Sequence, residues 1–287
     1  MKTIGGKKEI NLFLLPAIIY LIIFTIYPTI YTWYISFRNY SFGENSFVGL
    51  KNYQSLIFSD EVFLTSLYNT FFYVVLAVAV EFILGLAIAI LFNKDIKGKS
   101  LALVFLMLPM IIPPVVSALT FLMMYDPTLG LPSYILKTLF SIQGPSLLTD
   151  PRWAKLAVIF IDIWQWTPFM VIMLLAGMQY IPTTVKEAAK VDGANSIQSF
   201  FHIILPLMKR IIILAIIFRA MDAFKAFESI FITTRGGPGY TTQTMNIYNY
   251  LISFNYLKFG RAGALSIILL LIVSLFITVL VKFLRSE

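Results

Sequence analysis

The chain has 287 residues, of which 59% are hydrophobic and only 13% charged, with a mean hydropathy of +0.85. Soluble domains carry about 25% charged residues, so this composition excludes an ordinary water-soluble protein and points to a membrane protein. Cysteine is absent, which excludes disulfides and thiolate metal sites, and in a chain this apolar the net charge of +8 fits basic loops against anionic lipid, not nucleic acid.

A helix needs roughly 20 apolar residues to cross the hydrocarbon. Six stretches qualify, at about 11–37, 67–93, 100–124, 154–181, 204–232 and 262–284. The first continues past Pro16 and Pro28 and is too long for the core of a cleaved signal peptide. The predicted fold class is therefore an all-α membrane protein of six transmembrane helices, forming a single transmembrane domain over 1–287. Proline recurs within the spans, and the pair Pro113-Pro114 predicts a break in the third.

Glu81 falls near the middle of the second span. The fourth span carries Asp162, Trp164, Gln165, Trp166 and Phe169, and the fifth carries Arg219, Asp222, Lys225 and Glu228. An ionisable group inside a span costs about 2.5–3.5 kcal/mol at the centre on insertion scales, so it faces a bundle interior or a cavity. The charges of the fifth span are three apart and can interact along a helix. Two readings stand side by side: an ion-pair ladder, and a translocation cavity in which Arg219 and Asp222 line the wall. Trp164 and Trp166 likewise either pack between helices or, with Gln165 beside them, offer the apolar and amide groups that suit a sugar. Glu81 is a candidate partner of Arg219.

Lysine and arginine set the orientation. With six spans, the side of the termini holds twelve: Lys2, Lys7, Lys8, Lys94, Lys97, Lys99, Lys186, Lys190, Lys209, Arg210, Lys282 and Arg285. The other side holds eight: Arg38, Lys51, Lys137, Arg152, Lys155, Arg235, Lys258 and Arg261. The excess predicts both termini, and the loop between spans four and five, in the cytoplasm. That loop reads EAAKVDGANSIQSFFHIILP over 187–206. Two short helices are predicted there. Thr184 and Glu187 have the spacing of a capping box, Asp192-Gly193 forms a stop, and Asn195 or Ser196 caps the second piece.

In this loop Glu187-Ala188-Ala189 is followed after three residues by Gly193, then after nine by Ile203, with Leu205-Pro206 closing the pattern. Asp192 stands beside the glycine. The pattern resembles the EAA loop of permease subunits of binding-protein-dependent ABC importers. TTRGGPGY over 233–240, Asn69-Thr70 and Asp126-Pro127 extend the resemblance to the first of two permeases in carbohydrate importers of the maltose class. The resemblance implies a sugar or oligosaccharide as substrate and a prokaryotic cytoplasmic membrane as location. It implies three partners besides membrane lipid: a second homologous permease, an ABC ATPase dimer and an extracytoplasmic solute-binding protein, with ATP and Mg bound by the ATPase and no cofactor in this chain. It makes the loop 184–206 a cytoplasmic coupling element between spans four and five, and Gln165, Trp166, Phe169, Arg219 and Asp222 the positions matching sugar contacts. The chain has no G-x-x-x-x-G-K-[ST] phosphate loop and no catalytic constellation, so it is not expected to be an enzyme. The alternatives are the same machinery carrying glycerol phosphate, with Arg219 on the anion, and an ion-coupled secondary transporter using Glu81, Asp162 and Asp222.

Overall fold

The computed structural model describes residues 7–141 and 146–285, which are mostly helical. Four helices are long and apolar enough to cross a membrane: Leu14–Ser36, Glu61–Phe92, Pro151–Tyr180 and Phe259–Phe283. Two bent pairs raise the number to six if each is one span: Lys99–Ile111 with Pro114–Met124, at 91°, and Ser196–Leu207 with Lys209–Thr233, at 65°. The described residues gather into two compact units. One comprises residues up to Glu61 together with Asn249–Ile272, and the other Val62–Tyr248 with the end of the chain from Val273.

In the first unit the Leu14–Ser36 helix is apolar and exposed along most of its length, the pattern of a surface matched to lipid, and becomes buried only toward its end at Ser36. Its helical register loosens into a π-turn over Ile22–Ile26, just before Pro28, which has no N–H to donate. Thr29 and Thr32 donate their hydroxyls to the carbonyls of Thr25 and Pro28, at 2.7 and 2.8 Å. The sequence reading missed the next element, an antiparallel hairpin pairing Arg38–Ser41 with Glu44–Phe47. Its two-residue turn places Gly43 at φ 85°, where glycine carries no Cβ penalty. Asn52 fixes the hairpin's base by donating to the Ser36 and Arg38 carbonyls, both at 2.9 Å. Gly260 lies against the Arg38 carbonyl so closely that a Cβ would collide with it. Arg261 pairs with Asp60.

In the second unit the Pro151–Tyr180 helix is the most deeply embedded, with 61% of its apolar window buried. Its start is written locally. Asp150 accepts the Arg152 N–H at 2.9 Å and Pro151 occupies the first turn, where no N–H is missed. Leu174, Leu175 and Met178 pack with Ala89, Ile181 and Met208, and further along Ile161 and Ala157 pack with Phe121 and Tyr125. At Gly85 the Glu61–Phe92 helix meets Met170 so closely that an added Cβ would sit 2.6 Å from the methionine Cβ.

The expected break at Pro113-Pro114 is present. Ile112 is extended at ψ 130°, as a residue before proline must be, and its carbonyl, freed by the break, accepts Gln165 Nε2 at 2.8 Å. The fifth stretch departs from the expected continuous helix. It runs from Lys209 to Ala223, opens over residues 224–227, and resumes at Glu228–Thr233. The cause is tertiary: Asn246 donates to the Phe224 carbonyl at 2.7 Å. Phe224 itself is 2% exposed, with Phe71 and Phe276 set edge-on against its ring. The TTRGGPGY turn is held against the Glu61–Phe92 helix by Asn69, which donates to the carbonyls of Tyr240 and Gln243 at 2.8 and 3.0 Å.

Candidate functional site

Where the Lys209–Thr233 stretch opens, its backbone turns toward the Pro151–Tyr180 helix and leaves a cavity of about 270 Å³. Asp162, Gln165 and Trp166 line one side, Asp222, Lys225, Ala226, Phe227, Glu228 and Ser229 the other, and Pro114 of the broken third stretch closes it. Irregular backbone at membrane depth is tolerated where it lines a cavity or is buried in protein, and both conditions are met here. Asp162, Gln165 and Trp166 share a helix face by their three- and four-residue spacing.

Under the cavity lies Arg219, 1% exposed. Its Nε pairs with Glu81 Oε2 at 2.6 Å, and Nη2 donates to Glu81 Oε1 at 2.9 Å and to Asp162. Nη1 lies 3.5 Å from Asp222 Oδ2, and the guanidinium sits 5.4 Å from the Trp166 ring. A planar fork of five donors suits such a hub as a point-like ammonium would not. Glu81 is fully buried, whereas half of the Asp222 side chain reaches the cavity. Removing one partner from such a cluster leaves a buried charge uncompensated, at about 3–5 kcal/mol.

The structure therefore brings Glu81, Asp162, Gln165, Trp166, Arg219 and Asp222 together. It sets Trp164 apart: its ring packs edge-on against Phe121 at 5.2 Å, in the core. Phe169, half-buried, is not among the lining residues. Lys225 and Glu228, read in the sequence only as span charges, belong to the wall, as do Phe227 and Ser229, which carried no signal of their own.

The 183–207 segment is built differently. Thr183–Val191 forms one helix, Gly193 ends it at φ 80°, and Ser196–Ser199 starts the next. The expected capping box at Thr184 and Glu187 is not formed. The helix begins one residue earlier behind Pro182, without a side-chain cap, so Thr184 already lies inside the first turn. The box forms instead one helix later: Gln198 N donates to Asn195 Oδ1 at 2.8 Å and Asn195 N to Gln198 Oε1 at 2.9 Å. A π-turn over Phe200–Ile204 precedes Pro206, as its counterpart precedes Pro28. Glu187, Ala188, Asp192, Gly193 and Pro206 are exposed, Ile203 and Leu205 are half-buried, and Ala189 is buried. Val191, Ile197 and Phe201 present apolar side chains 86, 71 and 57% exposed.

Outside the spans, the Asp126 carboxyl is held below the usual carboxylate range by the Thr128 hydroxyl and the N–H groups of Leu129 and Thr128. Asp150 is lowered by its hydrogen bonds from Arg152.

Apolar helices, two of them broken beside an ion-lined cavity, with an exposed two-helix segment following the Pro151–Tyr180 helix, are the architecture of a membrane subunit of a transporter. A chain in the crystal structure of a bacterial ABC transporter that imports the acidic polysaccharide alginate has this fold. It superposes with a TM-score of 0.86 at 23% identity, covering 97% of this chain and 96% of that one. The sequence belongs to the family of inner membrane components of binding-protein-dependent transport systems, whose pattern matches residues 81–286. Relatives include the trehalose/maltose transport system permease protein MalF of Thermococcus litoralis, 36% identical over 94% of this chain and 92% of that protein. The sulfoquinovosyl glycerol transport system permease protein SmoG of Agrobacterium fabrum is 31% identical over 99% and 92%. The chain is thus a permease subunit of a binding-protein-dependent ABC importer, not an enzyme.

Proposed function

We propose that this chain is the first of two related permeases in an ATP-driven sugar importer. In this reading the two bent pairs are single spans, giving six in one permease domain, with both termini and the 183–207 segment in the cytoplasm. Glu187, Ala188, Asp192, Gly193 and Pro206 form the surface that seats on a partner ATPase, which holds ATP and Mg, and Ala189, Ile203 and Leu205 pack behind it. A loaded solute-binding protein docks outside, and closure of the ATPases moves the segment as a rigid piece. The solute then passes through the cavity lined by Asp162, Gln165, Trp166 and Asp222, over Arg219 and Glu81.

The observation that carries this reading is the segment itself. Its EAA pattern lies on a short helix whose glutamate is exposed and unconsumed by the cap, ended by a glycine whose φ favours that residue. The likeness to sugar permeases over nearly the whole chain supports a carbohydrate solute. Purification from native membranes in mild detergent tests the assembly. Recovery of an ABC ATPase, a second permease with an EAA loop and a binding protein is expected. Recovery of the chain alone, with ion-driven uptake in liposomes, would overturn it.

A further inference from the structure

The charges of the cavity wall are uneven. Asp162, Asp222 and Glu228 face it, against the single ammonium of Lys225. Among the described residues neither Lys225 nor Glu228 is held in an ion pair. Arg219 supplies no free cation: it is 1% exposed and engaged by Glu81, Asp162 and Asp222. Glu81 behind the wall offsets Arg219, so three carboxylates against one ammonium leave two formal negative charges. Low-dielectric walls focus such a field into the enclosed water.

We infer that this cavity excludes anions. It admits uncharged and cationic polyols, the chemistry of neutral and amino sugars, and turns away uronates, sulfonates and sugar phosphates. The inference rests on the cavity being the solute path proposed above. It also sets this chain against glycerol phosphate, since the arginine that would hold the anion is already occupied.

Trp166 is a built-in probe, because its ring lines the cavity and the chain has only four tryptophans. In the assembled importer in nanodiscs, Trp33, Trp153 and Trp164 of this chain and every tryptophan of the partner subunits are replaced by Phe. Quenching of Trp166 is then measured with acrylamide, caesium and iodide. Acrylamide is expected to reach the ring, and caesium to outperform iodide by at least about threefold after normalisation to free N-acetyltryptophanamide. Glu228→Gln, which removes no ion pair, narrows that ratio, and Lys225→Gln widens it. Equal quenching by the two ions, stronger quenching by iodide, or a ring that acrylamide cannot reach would overturn the inference. Uptake of a panel of neutral mono- and oligosaccharides, trehalose and maltose among them, by the same importer with its binding protein reports separately on the transport reading. Uptake with charge-blind quenching sinks only the inference, and selective quenching without uptake sinks only the transport reading.

Discussion

The cavity and the 183–207 segment reach definition by opposite routes. Arg219, Glu81 and Asp162 are held by burial and by one another, from three separate stretches of sequence. Glu187, Gly193 and Asn195 are held by local backbone and caps, with most of their side chains in solvent. The first region is a tertiary object whose loss costs folding. The second is a local object whose side chains are left facing solvent. One carries its chemistry inward, and the other displays it.

The sharpest way to break this contrast is at the hub. Glu81→Ala leaves Arg219 buried beside a vacated partner and is expected to cost about 3–5 kcal/mol. The measurement is the yield and monodispersity of the protein by size-exclusion chromatography. A variant as stable as the wild type would show that the cluster is not held by burial.

Next come Glu187→Ala and Gly193→Asp, expected to leave insertion and folding intact while uptake falls by more than about tenfold, or 1.4 kcal/mol. No atom lies within 4 Å of where a Cβ on Gly193 would sit, so the aspartate meets no clash and the local strain is only about 1–2 kcal/mol. Normal ATP-driven uptake by both variants would remove the coupling role.

Smaller effects grade the two regions further. Gln165→Leu leaves the Ile112 carbonyl without its donor and should lower stability by about 1–3 kcal/mol, read as a fall in melting temperature. Asn195→Ala removes a cap worth about 1 kcal/mol, which limited proteolysis across 192–200 detects. The smallest effect is at Asp126. Its depressed pKa means its turn is favoured above the ordinary carboxylate value of about 3.9 and loses that support as pH falls through the lowered value. Protection of the Thr128 and Leu129 amides, taken as the exchange rate relative to the intrinsic rate at the same pH, should therefore fall at acid pH in the wild type. In Asp126→Asn protection should already be lower at neutral pH and follow no such transition.

Much of the fold was legible because apolar runs of membrane length leave little choice. The break at Pro113-Pro114 was legible because proline acts on its own helix. The opening over 224–227 was not, since Phe-Lys-Ala-Phe contains no breaker and the interruption is stabilised by Asn246, twenty-two residues away. The hairpin at 38–47 was missed because its strands are only four residues long and mixed in polarity. The Glu81–Arg219 pairing was guessed from the cost of charge in a span, yet 138 residues of sequence could not place it. The surface segment was readable almost whole, except that Pro182 displaced the cap from Thr184.

Gly85 has a mechanical consequence. With no side chain between them, the Glu61–Phe92 and Pro151–Tyr180 helices touch backbone against Met170, one turn along from the Glu81 carboxylate that locks onto Arg219. A seam this close has no slack for sliding, so the two helices are expected to travel as a single strut in the proposed transport cycle. The give in the machine is then left to the joints at 112–113, 207–209 and 224–227, which flank the strut and open directly onto the cavity or the displayed segment.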